Sequence, residues 1–170
     1  EKYESKPLGG TDHSITVLTY DAQGKIASRL RDPDDDPAWR PPVPFAEVDT
    51  ASDPVTAAFT LRRALYAAMQ NNMSEVSTRT YDGARLATMK ITRQPNRTLE
   101  IMEKPQPVVD VTITRTPING YSPKDLKKFK KGDPEIHLYF SDDTAFLPVR
   151  ASAHSGFGEL SMTLVEKGPN

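Results

Sequence analysis

The last third of the chain alternates apolar and polar residues in three short runs. Ile136, Leu138 and Phe140 alternate with polar neighbours, and two further runs follow at 146–151 and 160–164. Successive side chains of a strand point to opposite faces, so this period of two between turn residues is typical of antiparallel strands with one buried face. The pattern predicts a meander of three consecutive strands.

Earlier alternating runs predict further strands at 15–19, 26–30, 76–81, 87–92, 99–101 and 109–113. Asp82-Gly83 indicates a two-residue hairpin turn, because both positions tolerate a positive φ. Residues 1–10 contain Pro7 and Gly9-Gly10 and are predicted to form an irregular segment or turn. The proline-rich segment 31–46 can support neither a helix nor a central strand and is predicted to be a surface loop.

One long helix is predicted from Pro54 to about Gln70. Asp53 is a suitable N-cap, and proline fits the first helical position, where no amide donor is needed. The apolar side of this helix is predicted from the recurrence of Val55, Ala58, Phe59, Arg62, Leu65 and Met69 at helical spacing, with Leu61, Tyr66 and Ala68 at its edges. Ser122-Pro123 repeats the same type of start for a short helix from Lys124 to Phe129.

Together these elements predict a mainly β protein. We expect a curved antiparallel sheet or open barrel, with one covering α-helix and a short lysine-rich helix. At 170 residues the chain can bury a substantial core, and a single domain over 1–170 is the expected organisation.

Composition narrows the classes of function. The chain has 22 basic and 23 acidic residues and a net charge of −1. It therefore has no overall positive electrostatic field that would attract nucleic acid. It contains no cysteine, which excludes disulfides, thiolate zinc sites and thiol nucleophiles. No run reaches the roughly 18 apolar residues of a membrane-spanning helix. We therefore expect no nucleic-acid partner and no transmembrane segment.

Candidate catalytic and metal-binding residues each have a simpler structural interpretation. The acidic run Asp32, Asp34, Asp35 and Asp36 could offer oxygen ligands to calcium, but it lacks the glycine and distal glutamate of an EF-hand loop. His13, His137 and His154 are too scattered for a helical metal site. Ser155 beside His154, and the pair Asp142-Asp143, fit turns better than a catalytic site. We expect no enzyme activity, metal or cofactor.

The segment with the highest concentration of positive charge is the short second helix. It carries Lys124, Lys127, Lys128, Lys130 and Lys131. These residues could contact anionic lipid head groups or the acidic face of a partner protein. The simpler interpretation is a solvated helix that docks through Leu126 and Phe129.

Several motifs resemble the domain-of-unknown-function 3108 family. The run 135–143 (EIHLYFSDD) is followed by Leu147-Pro148-Val149-Arg150, and Tyr121-Ser122-Pro123-Lys124-Asp125-Leu126 precedes it. The Asp53-Pro54 helix start and the Tyr81-Asp82-Gly83 turn are similar to that family as well. These motifs cover about residues 50–166. Ala151 departs from the pattern, because an isoleucine and an acidic residue more often follow the arginine. The N-terminal strands look incomplete beside the family's.

The resemblance implies an exported, β-rich protein of the Gram-negative cell envelope, with no established activity or catalytic residues. We expect a non-catalytic periplasmic protein that binds a hydrophobic ligand, such as a lipid or acyl chain, between sheet and helix. The predicted lining residues are Phe59, Leu65, Met69, Met89, Ile91, Leu138, Phe140 and Met162; ordinary core packing is their alternative role. A structural or assembly module that contacts envelope partners is one alternative function, and a weak hydrolase using His137 or His154 is another.

Overall fold

The computed structural model describes residues 2–5, 15–34, 36–132, 135–155 and 158–164. The strands are β1 Lys2–Ser5, β2 Ile15–Tyr20, β3 Ile26–Asp32, β4 Glu75–Tyr81, β5 Leu86–Arg93, β6 Arg97–Ile101, β7 Lys104–Asn119, β8 Glu135–Ser141, β9 Pro148–Ser155 and β10 Gly158–Thr163. The helices are α1 Pro54–Gln70 and α2 Pro123–Lys130, with a 3-10 turn at Phe45–Glu47. Strands hold 49% of the described residues, which confirms the mainly β class.

The strands form two sheets, and neither is closed among the described strands. One sheet has the order β1-β2-β3. The other has the order β10-β9-β8-β7-β5-β4, with β6 paired to β7. The predicted antiparallel meander is confirmed, because β8, β9 and β10 are consecutive antiparallel neighbours.

Several sequence predictions about element boundaries were wrong. The strand predicted at 146–151 is β9, Pro148–Ser155, and β3 continues to Asp32, inside the segment predicted to be a loop. Within the segment predicted to be irregular, Lys2–Ser5 is a strand that pairs with β2; Pro7, Gly9 and Gly10 lie outside the described residues. The Asp82-Gly83 turn spans four residues, 82–85, because the Asp82 carboxylate accepts hydrogen bonds from the N–H groups of Ala84 and Arg85. The strand predicted at 109–113 is part of the longer β7.

Helix α1 starts and ends as predicted. The Asp53 carboxylate accepts hydrogen bonds from the backbone N–H groups of Val55 (2.8 Å) and Thr56 (3.0 Å), and from the Tyr20 hydroxyl (2.7 Å). Burial alone would raise the pKa of Asp53, but the hydrogen bonds from Thr56, Tyr20 and Val55 outweigh it and lower the pKa. The N-cap is therefore held in its charged form.

The predicted apolar side of α1 was right for Leu65 and, at its edges, for Leu61 and Ala68, but it was wrong for Val55, Ala58 and Phe59. The buried residues are Ala57, Leu61, Leu65 and Ala68. Val55 and Phe59 are 55% and 64% exposed. Two neighbouring stripes of this helix carry apolar residues at helical spacing, so periodicity did not distinguish them. The buried stripe includes two alanines, Ala57 and Ala68.

The chain divides into two compact units. Unit 1 comprises Glu1–Arg62, Ser77–Met89 and Arg115–Gly132. Its hydrophobic core contains Leu18, Ile26, Val48, Ala51, Tyr81 and Leu86, with Tyr20 and Val43 packed against them. This core draws on β2, β3, β4, β5 and the segment that precedes α1.

Unit 2 comprises Arg63–Val76, Lys90–Thr114 and Asp133–Asn170. One part of its core contains Ile101, Val108, Tyr139 and Val149, with Leu99 and Leu164 packed against them. In another part, the ring of Phe140 on β8 stacks on Phe146 at 4.6 Å, and Tyr66 of α1 packs on Phe146 at 5.3 Å. Within this unit, α1 thus packs on the meander through an aromatic cluster, as expected for a covering helix.

Candidate functional site

One face of the meander carries two neighbouring apolar rows in unit 2. The strand register pairs Leu138 with Ala151 and Met162, and Ile136 with Ala153 and Leu160. Positions two residues apart on a strand share a face, so both rows lie on the same side of the sheet. Leu160 and Met162 are 74% and 72% exposed. The expectation of one buried face is therefore wrong for β10.

An open depression of about 280 Å³ lies on this part of the meander. Its lining residues are Leu138, Pro148, Val149, Arg150, Ala151, Met162, Thr163 and Leu164. Most of these residues are apolar, and polar groups are few. Binding sites for hydrophobic ligands have this composition, so the depression and the adjacent apolar rows form the candidate functional site.

The structure brings only part of the predicted lining set to this place. Leu138 and Met162 line the depression. Leu65, Ile91 and Phe140 are buried, whereas Met69 and Met89 are half-buried. Phe59 is largely exposed, and it belongs with Met89 to unit 1. A ligand-lining role for these eight residues stays a prediction.

The opposite face of the meander is polar and is organised around Asp110 on β7. Asp110 is fully buried. Its carboxylate oxygens lie 2.7 Å from Nδ1 of His137 and 2.8 Å from a guanidinium nitrogen of Arg97. The ring of His137 stacks on Tyr139 at 5.8 Å, and the Arg97 guanidinium lies 5.8 Å from the Tyr139 ring centre. The Arg97 contact is an ion pair without hydrogen-bond geometry, because Oδ2 of Asp110 has no hydrogen-bond partner among the described residues. The two contacts together partly compensate a buried charge, and they require β6, β7 and β8.

In the described part of the chain, no histidine is hydrogen-bonded to a serine in the way that a general base contacts its nucleophile. Nε2 of His137 lies 3.4 Å from the Glu135 carboxylate. Ser152 is opposite His137 in the register, but its buried hydroxyl makes no hydrogen bond to any described residue. His154 is exposed, with Nε2 3.8 Å from the Glu159 carboxylate. His13 and the side chain of Ser155 lie outside the described residues.

The acidic residues mostly act within their own loops. Asp34 pairs with Arg29, and Asp36 accepts a hydrogen bond from the N–H of Ala38 at 2.9 Å; Asp35 lies outside the described residues. The Asp143 carboxylate accepts hydrogen bonds from the N–H groups of Ala145 and Phe146, as a turn former does. Across the described ranges, no three potential metal ligands come together.

The second helix begins with a complete capping box. The Ser122 hydroxyl accepts from the N–H of Asp125 at 3.1 Å, and the Asp125 carboxylate accepts from the N–H of Ser122 at 3.2 Å. Burial alone would raise the pKa of Asp125, but these hydrogen bonds and the charges of Arg85 and Arg40 lower it. The helix start is thereby fixed on unit 1.

All five lysines of the second helix segment are exposed, and none makes an ion pair with another described residue. Leu126, which lies among them, is 42% exposed. Phe129 packs edge-on against Tyr121 at 5.3 Å and lies under the Arg115 guanidinium at 4.8 Å. Phe129 therefore anchors the segment, and the lysines present a positive surface to solvent.

Sequence reasoning missed Ala151, Ala153, Ile136 and Leu160 on the apolar face, and Asp110 and Arg97 on the polar face. The alternation along each strand was visible, and aligning the three runs as a meander would have placed the apolar residues in rows. No local pattern distinguishes Asp110 from a surface aspartate, because its partners are distant in the sequence.

None of the described helices is long and apolar enough to cross a membrane.

Comparison with known proteins found no match among curated proteins or solved structures. A family model described as a protein of unknown function, DUF3108, matches residues 2–165. This match is wider than the span of about 50–166 indicated by the motifs, since it includes the N-terminal strands. The chain therefore belongs to the DUF3108 family.

Proposed function

We propose that this protein is a non-catalytic periplasmic protein of the cell envelope that binds a hydrophobic ligand, such as a lipid acyl chain, on the apolar face of its meander. The observation that carries this proposal is that Leu160 and Met162 are exposed. They lie in two rows of apolar residues beside an open depression. Large apolar side chains grouped on one exposed face are typical of binding surfaces.

The free energy available from this face is sufficient for reversible binding. Covering one exposed leucine or methionine side chain contributes about 1.5–3 kcal/mol. An acyl chain that lies across the rows covers several such side chains, and it needs no hydrogen-bond partner along its length.

Replacing Met162 with glutamate is expected to weaken binding of a fluorescent long-chain fatty acid by about 10-fold or more, because a carboxylate on the covered face loses its water. The measurement is a fluorescence titration of the delipidated protein. Met73→Glu is the matched control, since Met73 is 56% exposed and does not line the depression.

Equal affinities of wild type, Met162→Glu and Met73→Glu would contradict this assignment of the site. Mass spectrometry of organic extracts supplies an independent check on the ligand class. Co-purified lipid in wild type, reduced in Met162→Glu and retained in Met73→Glu, is the expected result.

A second candidate function is an assembly module that contacts an anionic surface of the envelope. It is supported by the exposed lysines of the second helix segment and their lack of ion pairs within the described chain. Each basic residue close to an anionic surface contributes on the order of 1 kcal/mol. Five lysines in one segment give an attraction that is strong at low salt and screened at high salt.

Replacing the five lysines together with glutamine is expected to abolish sedimentation with vesicles that contain anionic phospholipid at low ionic strength. Neutral vesicles should bind neither protein. Lys25→Gln with Lys90→Gln is the control, because these lysines already pair with Asp49 and Glu75. Undiminished binding of the five-lysine variant would refute a role for this helix in membrane contact.

A further inference from the structure

We propose that two copies of this chain form a twofold dimer by antiparallel pairing of their β10 strands. β10 is the terminal strand of its sheet, and no described strand pairs with its outer edge. Every residue of β10 is exposed. An exposed strand edge is a template for pairing with another chain, and its sequence determines which chain fits.

The hydrogen bonds to β9 show which backbone groups of β10 face outward. The N–H of Leu164 donates to the carbonyl of Val149 at 2.8 Å, one step beyond the paired Thr163 and Arg150. In an antiparallel ladder, directly opposed residues alternate between hydrogen-bonded and non-hydrogen-bonded pairs. Leu160 and Met162 therefore bond to β9, while the N–H and C=O groups of Glu159, Ser161 and Thr163 point to the open edge.

These outward groups are self-complementary. With a twofold axis at Ser161, this residue pairs with Ser161 of the second copy, and Glu159 pairs with its Thr163. Every outward N–H and C=O of the three residues then has a partner. This register places no acidic side chain opposite another, because the single charge of β10 faces a threonine.

The same register also joins the apolar faces. Leu160 becomes the direct neighbour of Met162 of the second copy, in a non-hydrogen-bonded pair where side chains are closest. Residues that are 74% and 72% exposed in one copy thus cover one another across the axis. The apolar rows continue from one sheet into the next without an interrupting polar residue.

The sequence of β10 lacks the usual protection of an exposed edge. It reads GELSMT, with no lysine or proline. Its one charged residue is Glu159, whose carboxylate contacts two side chains on the polar face. It lies 3.2 Å from the Arg150 guanidinium and 3.8 Å from Nε2 of His154. Natural edges that remain unpaired are commonly blocked by lysine, proline or inward charges. This edge is compatible with a partner strand.

Sedimentation equilibrium of the delipidated protein tests the dimer. Wild type is expected to change from monomer to dimer with rising concentration. Ser161→Pro removes an outward N–H from each copy and should be tolerated by the monomer, because that group has no partner strand among the described residues. The dimer dissociation constant should then rise at least about 30-fold. Ser161→Thr keeps the N–H group and should still dimerise. A matching circular dichroism spectrum shows that each variant is folded.

A single cysteine at the axis gives a direct test of register. Paired residues at a hydrogen-bonded position have Cα atoms about 5.5 Å apart, within the range that a disulfide spans. The chain has no cysteine of its own, so Ser161→Cys should form one covalent dimer on mild oxidation. Met73→Cys, which is exposed elsewhere, should form little.

A monomeric wild type at all concentrations, or a dimer that survives in Ser161→Pro, would overturn the proposal. Both measurements are made without lipid, so they do not depend on the proposed ligand. A dimer without fatty-acid binding would support this interface alone, and binding by a monomer would support the ligand site alone.

Discussion

Replacing Gly120 with alanine is expected to lower the free energy of unfolding by about 4 kcal/mol, the sum of a left-handed backbone cost and a steric overlap. Gly120 has φ +78°, and a Cβ atom there would lie 2.0 Å from the carbonyl oxygen of Ala84 and 2.6 Å from Cγ2 of Val43. The first contact is with backbone, which cannot rotate away. Urea unfolding measures the loss.

Gly24→Ala separates the two contributions. Gly24 has nearly the same backbone angle, φ +79°, but an added Cβ would meet no described atom within 4 Å. This variant should lose only about 1 kcal/mol, the cost of placing alanine in the left-handed region. Equal losses for the two variants would show that close packing around Gly120 contributes nothing.

Replacing Arg97 with methionine is expected to lower the free energy of unfolding by about 3 kcal/mol, because a buried carboxylate loses one of its two charged or polar partners. Asp110 is fully buried, and Arg97 contacts one of its oxygens at 2.8 Å. His137 would still contact the other oxygen. Arg97 is itself 49% exposed, so the loss should lie at the lower end of the range for broken buried pairs.

A double-mutant cycle identifies the cause. Adding Asp110→Asn to Arg97→Met removes the uncompensated charge, so the combined loss should be at least about 1 kcal/mol smaller than the sum of the single losses. Arg63→Met, at an exposed position on α1, is the control and should change stability by less than about 0.5 kcal/mol. Strict additivity of Arg97→Met and Asp110→Asn would argue against direct coupling.

The two faces of the meander are proposed to have different roles. The polar face holds a buried charge network that joins β6, β7 and β8, and its disruption affects stability. The apolar face remains open at β9 and β10. Its apolar side chains make no hydrogen bonds with water, so covering them breaks none. A ligand on this face and a second copy at its edge would both remove apolar surface from water, and both would cover the side chains of Leu160 and Met162.

Most elements were predictable from local sequence. The N-cap at Asp53 with Pro54, and the capping box at Ser122, specify helix starts through hydrogen bonds to groups two or three residues away. The meander followed from alternation in three neighbouring runs. The buried side of α1 was only partly predictable, because two adjacent stripes were both apolar and only packing selects between them.

The sequence predicted the apolar character of the candidate site, but it identified only some of the residues that line it. Leu138 and Met162 were identified as large apolar residues on strands, and both line the depression. Phe140 had the same local pattern but is buried under Phe146. Ala151 and Ala153 carry little hydrophobic signal by themselves, and they join the site only because the register places them between larger residues.

The sequence by itself determined the mainly β class, the helix boundaries and the consecutive strands of the meander, because each depends on contacts within a few residues. Only the tertiary structure decided which apolar residues are covered. Leu160 and Met162 alternate as core residues do, yet they are exposed because β10 is the last strand of its sheet. Burial depends on which neighbours a strand acquires, and alternation along one strand carries no information about them.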